Sequence, residues 1–80
     1  MKLDMDMENI AGSTDQKYQQ IYVQLSGEDG NTGAIMARVA RALKDEGVTV
    51  VEVNNFRREI FNADNYDHVL RIVQNWVSVG

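Results

Sequence analysis

Ser26–Leu43, Ser-Gly-Glu-Asp-Gly-Asn-Thr-Gly-Ala-Ile-Met-Ala-Arg-Val-Ala-Arg-Ala-Leu, carries a glycine-punctuated loop straight into a helical pattern, and its reading decides the fold. Ile35, Val39, Ala42 and Leu43 recur at helical spacing, with Met36 and Ala40 beside them, so one face of this run must pack on a neighbouring element. Gly27-Glu28-Asp29-Gly30 turns the chain into the helix, and Asn31 or Thr32 supplies the side-chain oxygen that caps its first free N–H groups. Gly47, just past Lys44, Asp45 and Glu46, is a C-terminal stop. The same loop has a chemical reading: backbone N–H groups converging at a helix start attract anions.

Upstream, Tyr18 to Ser26 reads as a strand, because Ile21, Val23 and Leu25 alternate with Tyr22 and Gln24 before Gly27 ends the run. Met1 to Ile10 also alternates, with Leu3, Met5 and Met7 opposed to Lys2, Asp4, Asp6 and Glu8; an edge strand and a loose tail are both open readings. Residues 1–17 are therefore taken as an extension and 18–80 as one compact domain. Ala11 to Gln16 would be the hairpin connection if the extension pairs.

Downstream, the valine-rich stretch Val48 to Val53 suggests a strand, but Thr49-Val50-Val51-Glu52 fits a capping box and Val53, Phe56 and Ile60 keep helical spacing. A second helix is expected from about Val50 to Asn62. Asp64 or Asn65 caps a third, in which Tyr66, Val69, Val73 and Trp76 share a face with Leu70 and Val77 adjoining it. Phe56, Phe61 and Trp76 are expected in the core. Trp76 to Val79 has the composition to turn extended and add a short strand. The expected fold class is α+β, in the order β-α-α-α-β, with the N-terminal segment as an optional edge strand.

With 44% apolar and 25% charged residues the 80-residue chain has the composition of a globular domain, yet its core is small enough that a second subunit would help it. Lacking cysteine and proline, it has neither disulfide nor thiolate metal site to staple the fold, and a single histidine falls short of a zinc site. The net charge of −4 argues against coating nucleic acid. No apolar run approaches the roughly 20 residues a membrane span needs. A soluble, cytoplasmic homo-oligomer is the expectation, with no metal and no cofactor.

The residues that could hold an anion are Asp29, Gly30, Asn31 and Thr32 of the loop, Arg38 on the first helix, and Arg57 and Arg58 on the second beside Asn54 and Asn55. Tyr66 and His68 could add ligand contacts. Arg41 and Arg71 complete the basic set, while Glu28 and Asp29 oppose an anion unless they point away. The loop lacks the Lys-Ser/Thr of a phosphate-binding Walker loop and the third glycine of a dinucleotide fingerprint. No serine or threonine sits in a nucleophile elbow that would let His68 act in a hydrolase triad, so an enzyme is the least favoured class.

Leu25-Ser-Gly-Glu-Asp-Gly-Asn31, Ile35 to Leu43, Phe56 to Glu59, Tyr66-Asp-His-Val-Leu70 and Trp76-Val77 together resemble a group of short proteins of bacteria and their phages, over roughly Val23 to Val79. The resemblance implies a phage or mobile-element setting, hence the cytoplasm of a bacterial host, and brings no activity with it. Two non-catalytic roles then compete. One is a binding protein that sequesters an anionic, nucleotide-like host signal as an anti-defence device; the other is an interaction module that binds and inhibits a host protein, which an exposed apolar patch would favour.

Overall fold

The computed structural model describes residues 16–80. Strand β1 (Tyr18–Val23) is followed by helices α1 (Thr32–Asp45), α2 (Val50–Phe61) and α3 (Tyr66–Trp76), and the chain closes with strand β2 (Val77–Val79). This is the expected α+β order. The edge strand expected over Met1–Ile10 lies outside the described residues.

β1 and β2 pair in parallel. Parallel neighbours require a crossover rather than a hairpin, and the three helices supply it. The register is interrupted: Tyr18 lies opposite Val77 and Tyr22 opposite Ser78, so Gln19–Ile21 bulge out of the ladder. That bulge changes the phase of the strand, which buries Ile21 and Val23 at odd positions although Tyr18 packs inward at an even one. The Ser78 hydroxyl donates to Gln19 O at 2.7 Å and holds the bulge. Beyond Val23 the ladder gives way to a clasp in which the N–H groups of Leu25 and Ser26 both donate to Gly80 O, at 2.7 and 2.8 Å. The strand therefore ends earlier than the alternation through Leu25 implies. At its other end, Lys17 N–H donates to Asn75 O at 3.0 Å and the Gln16 amide donates to Gln74 O and Val77 O.

Each helix boundary has a local cause. Asn31 caps α1, its side-chain oxygen accepting from Gly33 N–H at 2.9 Å. α1 ends in a Schellman arrangement, with Gly47 N–H on Lys44 O and Val48 N–H on Leu43 O, made possible by the positive φ of 86° at Gly47. Thr49 caps α2 through Glu52 N–H at 3.2 Å, and Asn65 caps α3 through His68 N–H at 2.8 Å. Only half of the expected capping box forms, because the Glu52 carboxylate turns to Tyr18, Lys17 and Asn55.

The core joins all five elements: Ile21 and Val23 of β1, Ile35, Val39, Ala40 and Leu43 of α1, Val53, Phe56 and Ile60 of α2, Val69, Ile72, Val73 and Trp76 of α3, and Val77 of β2. Two core expectations need correction. Phe61 is 74% exposed, since it stands five residues after Phe56 and thus about 140° round the helix from it. Tyr66 remains about half exposed in the first turn of α3, and Ile72 takes the inward position that the expected face omitted. Among the described residues no helix is long and apolar enough to cross a membrane.

Replacing Asn31 by Ala removes the oxygen that serves Gly33 N–H and is expected to cost about 1 kcal/mol of stability. Thermal unfolding of Asn31→Ala beside Thr32→Ala checks this; a larger loss at Thr32 would reassign the cap.

Candidate functional site

The residues singled out from the sequence do not gather at one place. Those of the glycine loop are used by the loop itself. Asp29 Oδ1 accepts from Asn31 N–H at 3.0 Å, and Asn31 Oδ1 accepts from Gly33 N–H, so two donors at the helix start are already engaged. Tyr66 donates its hydroxyl to Gly30 O at 2.7 Å, tying the start of α3 to this loop. A Cβ on residue 30 would stand 3.3 Å from that hydroxyl oxygen, so that Tyr66 would have to give by a few tenths of an ångström. Arg38 reaches back to Glu28 at 3.3 Å, and with Arg41, Ala34 and Ala37 it lines an open depression of about 330 Å³ on α1. Thr32 opens the helix beyond its cap. Within the loop, Asp29 and Asn31 thus serve the N–H groups of Asn31 and Gly33, and Glu28 pairs with Arg38.

A second and larger space lies between α2 and α3. This groove, about 560 Å³, is lined by Lys17, Asn55, Arg58, Glu59, Asn62, His68, Ile72 and Asn75. Its volume falls within the roughly 300–1,000 Å³ of small-molecule sites. Asn55, Arg58 and Glu59 on α2 and its C-cap Asn62 repeat at helical intervals, as do His68, Ile72 and Asn75 on α3. Asn62–Asn65 forms the short connection that lets the two helices fold back on each other. Lys17 enters from the other direction, where its N–H holds the end of α3 through Asn75 O.

Hydrogen bonds preset most of the groove's polar groups. Arg58 Nη1 donates to Asn55 Oδ1 at 2.9 Å, and Asn55 Nδ2 donates to Glu52 Oε2 at 3.2 Å. Trp76 Nε1–H donates to Glu59 Oε1 at 3.0 Å, which fixes one oxygen of that carboxylate. His68 Nδ1 accepts from Asp64 N–H at 3.0 Å, so in the neutral ring the proton sits on Nε2, the donor left to the groove. Arg57 bonds Asn54 at 3.4 Å and does not line the groove, and Arg71 pairs with Asp67. Of the nine expected site residues, Arg58 and His68 line this groove, while Tyr66 joins Gly30 at the loop.

Beside the groove stands a cluster around Glu52. Lys17 Nζ lies 3.2 Å from Glu52 Oε1, and Tyr18 Oη donates to the same oxygen at 3.1 Å. The hydrogen bond from Lys17, with that from Asn55, holds the Glu52 carboxyl below its ordinary value against a partial burial that would raise it. Burial pushes the Tyr18 phenol up from 10.0, and its hydrogen bond to the Glu52 carboxylate acts in the same direction. Lys17 also lies over the Trp76 ring, 4.3 Å from its centroid.

Lys17, Glu59, Asn62, Ile72 and Asn75 were not singled out from the sequence. The spacing of Asn55, Arg58 and Asn62 offered a signal, at i, i+3 and i+7; Lys17 offered none, because its place depends on the pairing of chain ends. Among the described residues there is no group of three or more His, Cys, Asp or Glu able to hold a metal ion. Comparison with family models, curated proteins and solved structures gave no match.

The depressed Glu52 carboxyl makes a pH prediction. Its folded state binds protons less readily than the unfolded state, so its contribution is complete above the ordinary value of 4.5 and disappears as pH falls through the lower folded value. Thermal unfolding of the wild type and Glu52→Gln is expected to show a stability gap at neutral pH that closes in acid. A gap of the same size at every pH would contradict this role.

Proposed function

We propose that the protein is a non-catalytic binding protein for a small anionic, nucleotide-like ligand, held in the groove between α2 and α3. The observation that supports this reading most is that Arg58, His68, Asn62 and Asn75 line one groove together with the apolar Ile72. Arginine suits phosphate or carboxylate through its fork of donors, and amides suit the edge of a base or sugar. Affinity and retention are all that sequestering a host signal requires. In the phage-type setting implied by the resemblance, the protein works in the bacterial cytoplasm, and a homo-oligomer multiplies the number of grooves.

A second reading has its own observation. Val50 and Val51 at the start of α2 and Phe61 at its end are 71%, 69% and 74% exposed, apolar side chains that favour docking on a host protein. The two readings separate cleanly by experiment.

The test is native mass spectrometry and calorimetry of the wild type and Arg58→Glu against ribonucleotides and inorganic phosphate. Arg58→Glu is expected to weaken nucleotide binding roughly ten- to hundredfold, the scale of about 1.5–3 kcal/mol for a charge-assisted hydrogen bond, while Arg57→Glu leaves it nearly unchanged. Equal loss in both variants would remove the groove from the reading. A protein that binds no nucleotide would overturn it and leave the exposed apolar ends of α2 as the candidate surface.

A further inference from the structure

The groove's charge pattern limits which anion it accepts. Lys17 is matched by Glu52 at 3.2 Å, whereas Arg58 is bonded to the neutral Asn55 and makes no ion pair among the described residues. Glu59 follows Arg58 in the chain and lines the same groove. One of its oxygens, Oε1, is held by the Trp76 N–H at 3.0 Å. The other, Oε2, has no protein donor among the described residues and is open to a hydroxyl donor of a ligand in the groove.

From this pattern, and resting on the binding role proposed above, we infer that the ligand is a singly phosphorylated ribonucleoside, its phosphate on Arg58 and its ribose hydroxyls on Glu59. A monophosphate carries about −1.5 to −2 charges, which one arginine and neighbouring amide donors accommodate. Further phosphates have no unmatched cation to meet in the groove and come against Glu59. Bare phosphate contributes no hydroxyl donors for the Glu59 oxygen. A ribose diol donates to a carboxylate in the same way as in dinucleotide sites, where an acidic side chain receives the sugar hydroxyls.

Calorimetry decides this with the 5′-monophosphates of adenosine, guanosine, cytidine and uridine, their triphosphates, the matching 2′,3′-dideoxy monophosphates and inorganic phosphate. The expected result is one ribonucleoside monophosphate bound about tenfold or more tightly than its triphosphate, the scale of a like-charge contact, and more tightly than its dideoxy form. Glu59→Gln keeps an oxygen for the Trp76 N–H but removes the charge, and is expected to narrow the monophosphate preference. A triphosphate bound as tightly as the monophosphate, dideoxy binding equal to ribo, or a preference unchanged in Glu59→Gln would each overturn the inference while leaving the binding role standing. Failure of every nucleotide to bind would remove the binding role, and the inference with it.

Discussion

The Trp76 indole is the contact on which the rest of the molecule depends. It is 1% exposed and stands at the last position of α3, immediately before β2 begins. Phe56 of α2 meets it edge-on with centroids 5.5 Å apart, and Tyr18 of β1 stacks on it at 6.0 Å. One ring therefore joins the first strand, the second helix and the helix that leads into the last strand. Aromatic pairs of this geometry add about 0.5–1.5 kcal/mol each beyond the area they bury. That matters in a chain this short, where two paired strands would be weak without helices packed against them.

The same ring links core to groove. Its N–H needs an acceptor once buried, and Glu59 provides it, which draws a carboxylate to the wall between α2 and α3. Its face receives the Lys17 ammonium, which in turn holds Glu52. Tyr18 and Asn55 complete that cluster, and Asn55 orients Arg58. The Lys17, Asn55, Arg58 and Glu59 part of the groove's polar lining is thus tied to satisfying the core's one indole N–H and anchoring the entry of β1. A site so constructed is preset by rigid elements, the condition under which a small ligand loses least on binding.

Much of this was legible from local chemistry. Asparagine and threonine caps, the glycine stop at Gly47 and the apolar spacing of α1 and α2 require only near neighbours to act, and each appears where the residues put it. Even the valine-rich start of α2 follows its cap rather than β propensity, because Val50 and Val51 remain exposed and gain nothing from a sheet. What was not legible depends on contacts across the chain. The bulge at Gln19–Ile21 answers to Ser78, the early end of β1 to Gly80, and the direction of Glu52 to Lys17 and Tyr18. The site shows the same division: Arg58 and His68 were visible as chemistry, but their common groove is a product of how α2 folds back on α3, and in the glycine loop Asp29 and Asn31 turn their side-chain oxygens to the N–H groups of Asn31 and Gly33.

The most direct measurement is a titration of the nitrogen-15-labelled protein with ribonucleoside monophosphates, followed through its amide and indole N–H resonances. Ligand in the groove displaces the Trp76 indole resonance and the side-chain amides of Asn55, Asn62 and Asn75, while Gly30, Asn31 and Gly33 hold their positions. Displacement confined to the glycine loop would return the site to the start of α1, and a spectrum unchanged by every nucleotide would contradict the account.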